Sequence, residues 1–362
     1  MKVALVHDYL NQFGGAERVL LSLAEMFPAA PIYTLFYEPE IFDSHFKGRG
    51  IETSFLNHPL VRRRHRFFIP LFAKAAESIK LGDKYDLIIS DSAGWAKGVS
   101  YKSGKHIAYI HSPLRYAWEP QEWLESLFPK PLIKLAYPIT SYLCRWDKKT
   151  SQKPDIILAN SAYTAQKIKA FYNREAEVLH PPVNGEMFYQ DLNPGKEKYF
   201  LAFGRLIHYK RFDLAVKAFN KLGLPLKIIG SGPEENKVRG LIRSKDIEMI
   251  PEVKDANLLR RIISDAQALI FPQVEDFGLT AAESLACGTA VIAYRAGGAL
   301  ETIEDGLNGI FFNEQKEESI THAVKQFQKM KFDQEKIVQS AQKFSQESFK
   351  NGLIKVIKES MA

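Results

Sequence analysis

Three short stretches of the chain set charged residues beside glycines or helix starts, in patterns that suit chemistry on an anion or a polyol. The first is HDYLNQF, followed by Gly14, Gly15 and the helical start AERVLLSLAEMF. A glycine pair there lets backbone N–H groups approach a phosphate closely, and the helix dipole adds attraction. By itself the pair is equally a tight βα turn. The second is GRLIHYKR, where Arg205 follows an apolar run and Lys210 and Arg211 precede a helical pattern. Two such cations would hold a diphosphate, the guanidinium on paired oxygens and the ammonium as a point charge. In isolation they also describe a solvated basic loop. The third and sharpest is Pro272–Gly288, PQVEDFGLTAAESLACG. Glu275 falls in its loop, a helix begins near Gly278, and Glu283 lies within that helix. The free N–H groups at Gly278, Leu279 and Thr280 suit an anion. A carboxylate on such a helix accepts paired hydroxyl bonds, as a ribose diol requires. The plain alternative is one capping Glu and one surface Glu.

His111 follows the apolar run HIAYI and precedes Ser112 and Pro113. At the carboxyl edge of a strand it can donate to a sugar hydroxyl, although a lone histidine is more often structural. Asn160 and Ser161 read as the cap of the helix beginning YTAQKI.

These residues must be carried by strands and helices in alternation. Short apolar runs separated by longer helical patterns mark a parallel α/β architecture. The expected strands of the first half are Val3–Val6, Ile32–Phe36, Leu87–Ser90, His106–Ile110 and Ile156–Ala159. Those of the second half are Tyr199–Phe203, Leu226–Ile229, Ile247–Ile250, Ala268–Phe271, Ala290–Ala293 and Gly309–Phe312. Continuous apolar strands imply burial on both faces. The break between the two series is His180–Lys198, rich in Pro, Gly and Asn and without helical periodicity. The expected organisation is therefore a first domain over 1–183, a linker over 184–198, a second domain over 199–345, and a helix over 346–362 that packs back on the first.

The 362 residues suit two cores better than one, and 46% hydrophobic with 25% charged residues excludes wholesale disorder. The net charge of +7 suits an anionic partner without choosing one. Two cysteines, Cys144 and Cys287, make neither a disulfide framework nor a metal cluster and read as small core residues. The apolar start MKVALV meets His7 and Asp8 too soon for a signal peptide, and no run is long enough to span a membrane. The expectation is a cytoplasmic protein, soluble or peripheral. The segment VRRRHRFFIPLFAKAAESIK joins Arg62, Arg63, Arg64, Arg66 and Lys74 to Phe67, Phe68, Ile69, Leu71 and Phe72, which suits an anionic membrane surface. A solvated charge run beside a buried helix is the alternative.

Taken together, GGAER, YIHSP, GRLIHYKR and the E-x7-E element from Glu275 to Glu283 resemble the retaining GT-B glycosyltransferases of family 4. The resemblance spans nearly the whole chain. VHDYL…GGAER and YIHSPLRYAW are similar in particular to mannosyltransferases of bacterial surface-polysaccharide assembly. It implies two Rossmann-like domains facing a central cleft that holds a nucleotide-sugar donor. It implies that Gly14 and Gly15 admit donor phosphates or acceptor, that His111 contacts the transferred sugar, and that Arg205 and Lys210 neutralise the leaving diphosphate. Glu275 would bind sugar hydroxyls, the amides around Phe277, Gly278, Leu279 and Thr280 would bind phosphate and sugar, and Glu283 would hold the ribose. Val253 stands where family members contact the base, although Glu252 replaces a glycine common there.

The resemblance further implies front-face displacement, the leaving phosphate oxygen taking the acceptor proton. No D-x-D pair occurs in the sequence, so neither a metal of that type nor another cofactor is expected. The expected donor is GDP-mannose, with a UDP-sugar second, and the expected acceptor is a glycan or a lipid-linked glycan. Rival readings are a nucleotide-sugar epimerase, a phosphorylase, a non-catalytic nucleotide-sugar binder, and a nucleic-acid binder. The last lacks any reader motif.

Overall fold

The computed structural model describes residues 1–191 and 199–361. Asn193, Pro194 and Gly195 of the expected linker lie outside the described residues. The chain divides into two compact units, Met1–His180 with Lys350–Ala362, and Pro181–Phe349.

In the first unit the strands are β1 (Val3–His7), β2 (Ile32–Thr34), β3 (Ile51–Thr53), β4 (Lys80–Gly82), β5 (Leu87–Ser92), β6 (Ser100–Tyr101), β7 (Lys105–Ile110), β8 (Ile156–Ala159) and β9 (Glu177–Val178). Among the described residues seven form one sheet, in the order β3-β2-β1-β5-β7-β8-β9, and β4 and β6 pair separately. All pairings are parallel. The five expected strands are present, and β5 runs two residues further than expected, through Asp91 and Ser92. The short β3, β4, β6 and β9 were not expected, because IET, KLG, SY and EV carry no apolar run.

The second unit has β10 (Phe200–Phe203), β11 (Leu226–Ile229), β12 (Ile247–Ile250), β13 (Ala268–Phe271), β14 (Ala290–Tyr294) and β15 (Gly309–Phe312). They form a parallel sheet in the order β12-β11-β10-β13-β14-β15. Strands such as FLAF and ALIF are buried throughout, as runs covered by helices on both faces must be. One large core holds this unit together, from Phe200 and Phe219 to Phe271 and Phe344.

Each unit is thus Rossmann-like, and in each the strand order reverses beside its first strand. In the first unit β1 lies between β2 and β5; in the second β10 lies between β11 and β13. Ligands of open α/β sheets bind outside the carboxyl ends of the strands at such a reversal. The residues that matter are therefore those just beyond β1 and β5, and beyond β10 and β13.

Helix ends follow local chemistry. Ser161 caps the helix Ala162–Tyr172, its side chain accepting from the Thr164 amide, as expected. The C-terminal region is not one continuous helix: Gln334–Ala341 and Gln346–Met361 are separated by a 3-10 turn and Ser345. Cys287 is buried, but Cys144 is only half-buried, its thiol donating to the Ala117 carbonyl.

Candidate functional site

The second unit assembles its cations and carboxylates at the strand reversal. Beyond β10, Gly204 leads into Arg205, whose side chain is exposed. A 3-10 turn, His208–Lys210, then ends in Arg211 at φ 54°, a left-handed conformation that turns the chain into the helix Phe212–Leu222. The turn places Lys210 inside, where its Nζ lies 2.8 Å from Glu275 Oε1 beyond β13. Burial works against the lysine's charge, but Glu275 outweighs it by charge and hydrogen bond, with Glu283 adding, so the Lys210 pKa is raised. Gln273 Nε2 donates to the same Glu275 oxygen at 3.2 Å.

The loop after β13 is held by backbone contacts that leave no room for side chains. Gly278, at φ 93°, caps the helix Leu279–Ala286, and a Cβ there would lie 2.8 Å from the Phe271 ring. The Gly298 amide donates to the Glu275 carbonyl at 2.9 Å. A Cβ on Gly298 would stand 2.3 Å from the Phe277 carbonyl oxygen. Phe277 is buried against Phe344, the ring centroids 5.3 Å apart. Glu283 is buried within the helix and not on its surface. Thr280 Oγ1, in the first turn, is buried without a hydrogen-bond partner. Val253 is half-buried against the same core, and the neighbouring Glu252 accepts from Ser231 Oγ at 3.3 Å. The unit therefore brings Lys210 against Glu275, with Glu283 close enough to act on the lysine's charge, and the helix that follows Gly278 starts a few residues beyond Glu275.

In the first unit the reversal is occupied by a largely buried chain of titratable groups, of which the sequence had singled out His111 alone. His7 ends β1 and is the register partner of Asp91 in β5. His7 Nδ1 lies 2.8 Å from Asp91 Oδ2, and His111 Nε2 lies 2.5 Å from Asp91 Oδ1. His7 Nε2 lies 3.5 Å from Glu17 Oε1, and the Gly14 amide donates to Glu17 Oε2 at 2.8 Å. Burial opposes charge on His7, but the hydrogen bonds and charges of Asp91 and Glu17 raise its pKa to about 10. Burial likewise opposes charge on Asp91, and His111 and His7 outweigh it and hold the carboxyl below its usual range. Asp8 accepts from Ser92 Oγ and from the amides of Ala93, Trp95 and Ala96 at 2.6–3.0 Å, fixing the loop after β5. The signal that could have found these residues is positional. His7 and Asp91 lie at the carboxyl ends of buried strands, where ligands bind.

Gly14 precedes the helix Gly15–Met26, and Glu17 already engages its amide. Among the described residues no three His, Cys, Asp or Glu side chains group as metal ligands would. No helix among them is long and apolar enough to cross a membrane.

Comparison with known proteins adds the family. The model described as Glycosyltransferase Family 4 matches residues 13–186, and that described as Glycosyl transferases group 1 matches 184–344. An uncharacterized glycosyltransferase of Methanocaldococcus jannaschii is 27% identical over 166 residues, 45% of this chain and 46% of its own length, so the match spans less than half of that relative. The alpha-1,3/1,6-mannosyltransferase ALG2 of Dictyostelium discoideum is 24% identical over 86% of each chain. Among solved structures, Anabaena Alr3699/HepE in complex with UDP is similar with a TM-score of 0.72 at 16% identity, covering 99% of this chain and 100% of that one. With two parallel Rossmann-like units and the two matches running in succession along them, the chain belongs to the GT-B glycosyltransferases that join a family 4 half to a group 1 half.

Proposed function

We propose that the protein is a retaining hexosyltransferase that moves mannose from GDP-mannose to a glycan or lipid-linked acceptor in polysaccharide or glycolipid assembly. The observation that carries the reading is the Lys210–Glu275 pair, 2.8 Å apart beside the helix that opens at Gly278. Breaking a sugar–phosphate bond leaves negative charge on the diphosphate and positive character on the sugar. A fixed ammonium and helix amides stabilise the first, which is commonly the largest catalytic term. A carboxylate bonded to that ammonium through one oxygen has its other oxygen for sugar hydroxyls. In this reading Arg205 adds a second cation, Glu283 holds the ribose, Val253 meets the base, and His111 contacts the transferred sugar. The Gly14 amide, already bonded to Glu17, favours an uncharged acceptor group over a phosphate at that loop.

The mannose assignment is supported by the ALG2 relative. The second reading, a UDP-sugar donor, is supported by the UDP complex of the Anabaena protein. The enzyme would work in the cytoplasm or at the inner face of a membrane. A thermal-shift screen of GDP-mannose, UDP-glucose and UDP-galactose separates the donors, since a ligand at 100 times its dissociation constant adds about 2.7 kcal/mol of stability. Arg205→Ala, Lys210→Ala and Glu275→Gln are each expected to lose turnover by about a hundredfold to a thousandfold. Glu283→Gln should chiefly weaken nucleotide binding. Wild-type transfer by both Arg205→Ala and Glu275→Gln would overturn the assignment.

A further inference from the structure

We propose that Asp91, with His7 behind it, is a positioning residue that fixes the tautomer of His111, so that the ring in its neutral form meets the sugar as an acceptor through Nδ1. The inference rests on the reading above, in which His111 contacts the transferred sugar.

An ionised carboxylate only accepts hydrogen bonds. Asp91 is completely buried and has one histidine nitrogen at each oxygen, His111 Nε2 at 2.5 Å and His7 Nδ1 at 2.8 Å. Both rings must therefore donate to it. The Nε2 of His111 carries the proton of that bond, and the neutral imidazole keeps Nδ1 as its acceptor nitrogen. This differs from the sequence expectation, in which His111 donates to a hydroxyl. A neutral His111 whose Nε2–H is taken by Asp91 has no further proton to give.

His7 makes the arrangement one-sided. Its second nitrogen faces Glu17 at 3.5 Å, so it lies between two carboxylates. A doubly protonated His7 donates in both directions and leaves Asp91 no alternative but to accept. His7 and Asp91 are cross-strand register partners inside the sheet, and Glu17 is tied to the Gly14 amide. The His111 ring is thus referenced to the buried sheet and to the glycine loop at once. A rigid supporting shell of this kind is what holds a reacting group in productive geometry.

The test begins with the unaltered protein. In 15N-histidine-labelled protein at neutral pH, with His111 assigned by His111→Gln, the ring is expected to show the Nε2–H tautomer; an Nδ1–H tautomer would overturn the proposal. Asp91→Asn supplies the kinetic arm, with release of GDP from GDP-mannose and of UDP from UDP-glucose as the measured reactions. A ten- to hundredfold loss of turnover is expected, with the binding of free GDP and UDP within twofold of wild type and the His111 tautomer no longer fixed. Wild-type turnover in Asp91→Asn beside a large loss in His111→Ala would end the positioning role while leaving His111 in place. Wild-type turnover in both variants would end the underlying reading instead. Should Asp91→Asn not fold, His7→Gln with the same two measurements takes its place.

Discussion

Burial disfavours charge on two histidines of one sheet alike, and their partners decide opposite net outcomes. His7, between Asp91 and Glu17, is driven up to about 10. His106, whose Nε2 meets the uncharged Ser90 hydroxyl at 2.8 Å, is pushed down by burial to about 3. Linkage gives each its own pH window. For His7 the folded pKa is raised, so its contribution is full below about 6.5 and is lost as pH rises through about 10. For His106 it is depressed, so its contribution is full above about 6.5 and is lost as pH falls toward about 3. His106→Gln should therefore flatten the acid limb of stability, by about 2.7 kcal/mol at two units below the unfolded pKa. Urea unfolding at a series of pH values from 7 down to about 4.5 measures this; parallel wild-type and variant limbs would contradict it. A second buried device is the Lys97–Asp147 ion pair, both side chains without exposure. Asp147 also accepts from Trp118 Nε1 and from the Tyr172 hydroxyl, each at 2.8 Å. Asp147→Asn leaves the ammonium buried without its counter-charge and should cost about 3–5 kcal/mol in the same assay.

At the scale of the element, the donor-side loop is shaped by what its neighbours lack. Gly298 has an ordinary backbone conformation, so its requirement is space alone: any Cβ would collide with the Phe277 backbone. Gly298→Ala is expected to push the Glu275–Phe277 loop away from Lys210. Nucleotide affinity and turnover should then fall together by at least tenfold, measured by calorimetry and single-turnover transfer; unchanged affinity would show that the loop's position does not matter. The apolar strands were legible in advance because FLAF and ALIF can only be buried. The E-x7-E spacing showed one carboxylate before a helix and one inside it. It did not show that Glu283 is buried, or that Gly298 closes the loop from β14, because both depend on what packs from elsewhere in the chain.

At the scale of the whole molecule, the helix His65–Ser78 divides its apolar residues between two environments. Ile69 and Phe72 are completely buried, Phe72 edge-on to Phe36 and Trp95, so neither is available to a membrane as the sequence had suggested. Arg62 donates to the Tyr37 carbonyl and pairs with Glu38 at 3.4 Å. Phe67, Leu71 and Lys74 remain exposed at helical spacing, and Arg63 and Arg64 are exposed just before them. These residues support the proposed contact with an anionic membrane. Each basic side chain at such a surface contributes about 1 kcal/mol. Arg63→Ser/Arg64→Ser/Phe67→Ser should weaken flotation with phosphatidylglycerol-containing liposomes at least tenfold, leaving nucleotide binding intact. A wild-type protein that does not float would remove the idea.

The sequence by itself determined the architecture and the candidate donor site. Apolar period and punctuation are local properties, and the residues just beyond an apolar strand lie at its carboxyl edge whatever the details. Arg205, Lys210, Glu275 and Glu283 could therefore be picked out as candidates from their positions, and the family resemblance supplied the roles expected of them. Tertiary structure decided which of them meet. Lys210 reaches Glu275 because β10 and β13 are neighbours, across about 60 residues of intervening chain that no local pattern spans. It also decided that His7, Asp91, Glu17 and His111 form one buried chain. Residues 84 positions apart became register partners when β5 paired with β1, and only that pairing sets a carboxylate between two imidazoles.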